Sequence, residues 1–182
     1  MPNTQHWITE INRATDAFHS EFGSLSQEQL NWKPNAGTWS IAQNVDHLIQ
    51  INASYFPLVK EVREGSYAPP LLSKIGFIPK MLGNMILQST QPDRKRKVST
   101  FPVWEPAESN LPATILEDFA QSQEALKQLI RESEDLLNKG AIVYSPANRK
   151  IFYKLETGFD IITVHEWRHL EQAKEVKHLL QQ

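Results

Sequence analysis

The chain has 182 residues, a formal net charge of −2, 40% hydrophobic and 22% charged residues, and no cysteine. A length of this order suits one domain with a buried core, and residues 1–182 are read as a single helical domain. Without cysteine there is no disulfide framework, no thiolate metal site and no cysteine nucleophile, so any metal must be held by histidine and oxygen ligands. The near-neutral charge gives no general attraction to nucleic acid or to an anionic membrane. No run is long enough to span a bilayer and Met1 to His6 carries no apolar signal core, so cytoplasmic residence is the expectation.

In chain order, Trp7 or Ile8, Ile11, Ala14 or Thr15, Phe18 and Phe22 form the stripe of an amphipathic helix, which Gly23, Ser24 and Ser26 then break. His6 and His19 lie on this helix without a ligand-type neighbour at helical spacing and are expected at the surface. Gln27 to Asn31 reads as a short helical turn, and Lys33 to Gly37 as loop. Ser40-Ile41-Ala42-Gln43 is a capping box that opens a second helix, with Trp39 placed as half of a hydrophobic staple. Its apolar band runs through Ile41, Val45, Leu48, Ile51 or Asn52, Tyr55, Val59 and Val62, and it carries His47 in its second turn.

Leu71 to Leu87 is apolar but interrupted by Gly76, Pro79 and Gly83, which predicts one or two short helices, with Leu82, Met85 and Ile86 covering part of the core. Gln91 to Leu111 is a long connection. It holds the basic run Arg94 to Lys97, and also Phe101, Val103 and Trp104, which are placed to form a lid or pocket wall. Leu111 to Asn138 predicts a third long amphipathic helix stopped by Gly140. Ala141 to Leu155 reads as loop with a brief extended piece at Ile151 to Tyr153. Thr157-Gly158-Phe159-Asp160 resembles a capping box opening the last helix.

That last helix carries the chemistry. Phe159, Ile162, His165, His169, Val176 and Leu180 share one face, so two histidines stand one turn apart on the stripe that faces the core. Imidazoles at i and i+4 converge and can hold one divalent metal; the alternative is a pair of hydrogen-bonded core histidines. Four main helices with long crossings predict an all-α bundle, a fold that builds metal sites between facing helices. His47, His165 and His169 then make a three-histidine set with open positions for water or substrate. Candidates for fixing the imidazole tautomers are Gln172, Asn44, Glu166 and Glu117 or Glu124. His165-Glu166-x-x-His169 also satisfies the zinc-peptidase pattern. That class needs a third ligand downstream, where Glu175 stands instead, and His178 reads as exposed.

Three separated stretches carry a resemblance. Leu25-Ser26 with Glu28 to Pro34, followed by Thr38 to Gln43 and Val45-Asp46-His47-Leu48, is similar to the N-terminal signature of the DinB/YfiT-like metalloenzyme superfamily. Phe101 to Pro106 resembles its middle loop, and His165, Arg168-His169-Leu170 and Gln172 resemble its C-terminal motif. The resemblance implies a four-helix bundle with an additional short helix and long crossing loops, usually a homodimer. It also implies a divalent metal (nickel, zinc or manganese) on His47, His165 and His169. Some relatives are S-transferases that use a low-molecular-weight thiol such as bacillithiol, so a small-molecule substrate and a thiol cosubstrate are the functional expectation. A metal-dependent hydrolase or peptidase, or a bundle that binds metal or a small ligand without catalysis, are the alternatives.

Overall fold

The computed structural model describes residues 3–93, 100–106 and 110–182. Its helices are α1 (Thr4–Phe22), α2 (Gln27–Asn31), α3 (Ile41–Arg63), α4 (Phe77–Ser89), α5 (Ile115–Glu132), α6 (Glu134–Asn138) and α7 (Leu155–Leu180). A hairpin of β1 (Ile142–Ser145) and β2 (Asn148–Lys154) precedes α7, and short 3-10 turns cover Leu71–Lys74 and Pro102–Trp104. The basic run Arg94 to Lys97 lies outside the described residues. No helix among the described residues is long and apolar enough to cross a membrane.

Helices α1, α3, α5 and α7 form the bundle: α3 and α1 each pack against both α5 and α7. The helices that carry His47 and the His165–His169 pair are therefore neighbours. The apolar stripes sort into two clusters. One gathers Trp7 and Ile11 of α1, Tyr55 and Leu58 of α3, Leu126 and Ile130 of α5, and Phe159 and Ile162 of α7. The other gathers Phe18 and Phe22, Ile41, Val45 and Leu48, Phe119, and Leu170 and Ala173. Cluster membership shows α1 and α7 running one way and α3 and α5 the other. Between the clusters lies a waist of buried polar side chains, His47, Asn52, Gln123, Glu166 and His169.

The expected stripe of α1 is buried as read, and His6 and His19 are exposed. The Ser40 capping box is present, Ser40 Oγ accepting from Gln43 N at 3.1 Å and Gln43 Oε1 from Ser40 N at 3.1 Å. A second box, Ser26 with Gln29, opens α2.

Four local expectations need correction. The helix expected from Leu111 to Asn138 is two helices. The buried Ser133 hydroxyl donates to Leu129 O at 2.7 Å, and α5 ends there before α6 begins. The brief extended piece is the second strand of a hairpin, with Val143 paired to Tyr153 and Tyr144 to Phe152. No capping box at Thr157 opens α7, which runs directly out of β2 from Leu155. Gly158 is needed inside the helix instead, because a Cβ there would lie 3.0 Å from Tyr55 Cε1. Finally, Met85 is exposed; α4 turns Gly83 inward, where a Cβ would meet Thr157 Cγ2 at 2.8 Å. One side of α4 is left bare, with Phe77, Met81 and Met85 one turn apart beside Leu71 and Leu72.

Candidate metal centre

The Ser40 box fixes where α3 begins and so sets the rotation of its first turns. Asn44 and His47 face α7, where His165 and His169 project from consecutive turns. One nitrogen from each of the three imidazoles can be chosen so that all lie within 4.8 Å of one another. Ring centroids are 4.6 Å apart for His47 and His169, 5.4 Å for His47 and His165, and 4.4 Å for His165 and His169. His47 and His169 are buried, and His165 is the most open of the three.

The hydrogen bonds decide the tautomers of two rings. Asn44 gives its amide nitrogen to Ser40 O at 2.9 Å, which leaves Oδ1 to accept. His169 Nδ1 lies 2.7 Å from that oxygen and donates to it, so His169 Nε2 carries a lone pair. His47 Nδ1 lies 2.6 Å from the main-chain carbonyl of Trp104; a carbonyl only accepts, so His47 Nε2 likewise carries a lone pair. His165 Nε2 then sits 3.0 Å from His169 Nε2. Two nitrogens that close must share a proton or face a common cation. Ligands at the usual nitrogen–zinc bond length would be roughly 3 Å apart, so the pair fits a divalent ion.

Electrostatics favour the neutral, ligating form. Burial lowers the pKa of His47, against the Trp104 carbonyl and Asp46, which pull it up. His165 is held well below the ordinary imidazole range, first by its surroundings of protein, then by His47 and Arg168. Imidazoles already neutral at pH 7 need shed no proton to take a metal.

Trp39 does not act as a staple. Its indole lies near-parallel to His169 (5.9 Å, 17°) and 4.9 Å from His47, closing one side of the cluster. The position that would complete a staple on α3 is Asn44, which is polar and bonded to His169 instead.

Of the side chains expected to orient the ligands, Asn44 does so. Glu117 and Glu124 are exposed, Glu124 pairing with Lys127 at 2.6 Å. Glu166, which a peptidase would use as general base, is fully buried beside Gln123 and Asn52, and among the described residues neither carboxyl oxygen has a well-aligned hydrogen-bond partner. His178 is exposed. The middle loop divides: Trp104 is half-buried and packs on the core, Phe101 meets it edge-on at 6.0 Å, and Val103 points outward, 63% exposed. Tyr55 lines no opening at the centre; its hydroxyl is buried 3.0 Å from that of Tyr153. The Trp104 carbonyl was not foreseeable, because any residue supplies one.

No curated protein and no solved structure matches this chain. The profile of the DinB superfamily matches residues 10–173, a span that takes in α3, the middle loop, His165 and His169. With a helical bundle that sets three histidines together across α3 and α7, this chain belongs to the DinB superfamily.

Proposed function

We propose that the protein is a divalent-metal-dependent enzyme whose metal is held by His47, His165 and His169, and that it transfers groups to or from a low-molecular-weight thiol. The observation that carries the metal reading is the pair of fixed tautomers: Asn44 and the Trp104 carbonyl each take the Nδ1 proton of their histidine, so Nε2 keeps its lone pair, and both rings belong to one small cluster. Nickel, zinc or manganese would suit imidazole ligation and open positions. A bound ion would supply the charge that keeps a thiol as its thiolate. Around it stand the half-buried Trp39 ring and the buried His47 and His169, with His165 the most exposed of the three histidines. A peptidase is disfavoured because Glu166 is turned into the waist of the bundle, out of contact with solvent.

The test is metal content of untagged protein by elemental analysis, followed by thiol-consumption assays with bacillithiol and electrophilic acceptors. Near-stoichiometric metal with metal-dependent thiol consumption is expected. Metal without thiol turnover across the panel would leave a metal-binding bundle and overturn the transferase reading.

The bare stripe of α4 supports a homodimer. Leu71, Leu72, Phe77, Met81 and Met85 are 79%, 56%, 66%, 56% and 53% exposed. Together they leave several hundred Å² of apolar surface, more than scattered surface residues account for and approaching the ~800 Å² per partner of a standard interface. A two-fold axis would bring the same stripe of two copies together. Sedimentation should show a dimer that Met81→Glu converts to monomer; a wild-type monomer at micromolar concentration would remove the second copy.

A further inference from the structure

Of the two fixed imidazoles, His169 is set from inside the bundle, by a side chain of α3. His47 is set from outside it, by a main-chain carbonyl in the turn Pro102–Trp104. Among the described residues little else holds that turn, since Phe101, Pro102 and Val103 are exposed. What seats it is the Trp104 ring, half-buried against the core and met edge-on by Phe101, with the Trp104 N–H closing the turn on Phe101 O at 2.9 Å. The preceding crossing is tied to the other ligand helix, because Arg168, between His165 and His169, donates to Gln91 O at 2.9 Å.

We propose that Trp104 is a positioning residue for the metal centre. Its ring anchors the turn whose carbonyl holds His47 in the Nδ1–H tautomer, so docking of the turn and loading of the metal are linked. This rests on the metal reading above. The physical chain is short. The carbonyl accepts the Nδ1 proton and leaves Nε2 as the ligand atom; a metal on Nε2 makes the Nδ1–H a stronger donor and tightens the bond to the turn. Linkage is reciprocal, so whatever seats the turn must strengthen metal binding by the same factor. Two of the three ligands would then be held by different parts of the chain, one by the bundle and one by the loop.

The test uses full-length protein with Trp104→Ala and the conservative Trp104→Phe, and zinc alone as probe. Imidazole ¹⁵N shifts of the metal-free protein read the tautomers. Wild type should show His47 as Nδ1–H; Trp104→Ala should give a mixture at His47 with His169 unchanged, and Trp104→Phe should restore the single form. Zinc affinity by chelator competition should fall about 10- to 100-fold in Trp104→Ala and recover in Trp104→Phe. In wild type, zinc should slow amide exchange at Val103 and Trp104. A single Nδ1–H tautomer and undiminished affinity in Trp104→Ala would overturn the proposal, as would equal disturbance of His47 and His169. Should Trp104→Ala fail to fold, unchanged exchange at Val103 and Trp104 on adding zinc to wild type would overturn it. Wild type that binds no zinc would sink the metal reading instead, while the metal-free tautomers still decide the role of Trp104.

Discussion

His47→Ala, His165→Ala and His169→Ala should each bind metal more than a hundredfold more weakly than wild type while keeping the helical circular dichroism. The apparent free energy of a full set of ligands for zinc is about 10–16 kcal/mol, so one ligand in such a set is worth about 3 kcal/mol or more. The informative member is His47. It stands on α3, remote in sequence from the pair on α7, and a peptidase built on His165, Glu166 and His169 would not require it. Asn44→Ala should have a smaller effect, on the order of 10-fold, because it frees the tautomer of His169 without removing a ligand. Isothermal titration with zinc on the four variants gives the ranking. If His47→Ala keeps wild-type affinity, the three-histidine assignment fails.

The second large effect concerns Glu166. Burial pushes its carboxyl up to about 8, and the amides of Gln123 and Asn52 beside it oppose the rise only in part. In the unfolded chain the same group titrates near the ordinary glutamate value. Between those limits the native state holds a proton that the unfolded state has lost, so stability falls as pH rises from about 4.5 to 8. Glu166→Gln replaces the acid with a neutral isostere. The variant should match wild type near pH 4 and exceed it by a few kcal/mol at pH 8. Urea unfolding of both proteins in chelator, at half-unit steps of pH, reads the difference directly. The depressed histidines act in the opposite sense, adding stability as pH rises through the imidazole range, and they cancel in the comparison. Parallel curves from pH 5 to 8 would show that Glu166 is ionised in the fold.

How much of this was legible follows from what kind of signal each feature leaves. Periodicity carries the faces of α1, α3 and α7, because burying a stripe requires apolar residues at helical spacing. The Ser40 box carries the start of α3, since the cap is made by two side chains three residues apart. Placing His47 opposite His165 and His169 followed from a bundle that builds sites between facing helices, and the motif resemblance pointed to the same three. Where reading failed, the cause was tertiary. Ser133 looks like any helix residue until it is seen buried at the break between α5 and α6. Thr157-Gly158 looks like a cap until Tyr55 is found against Gly158. Met85 has the spacing of a core residue, but α4 turns Gly83, its narrowest position, inward for close approach to Thr157 and Tyr153.

The polar waist has a consequence for uniqueness. Apolar stripes on four helices can interdigitate in more than one alignment, because leucine, isoleucine and phenylalanine substitute for one another with little loss. Sliding α3 along α7 by one turn, about 5.4 Å, would carry Asn52 away from Gln123 and press the amide into the cluster around Tyr55 and Phe159. Each such slip strands buried polar groups with no apolar equivalent to exchange for. The layer thus works as a key that admits one alignment of the bundle, in the way a single buried asparagine sets the register of a coiled coil. The alignment it selects is the one that brings position 47 level with positions 165 and 169.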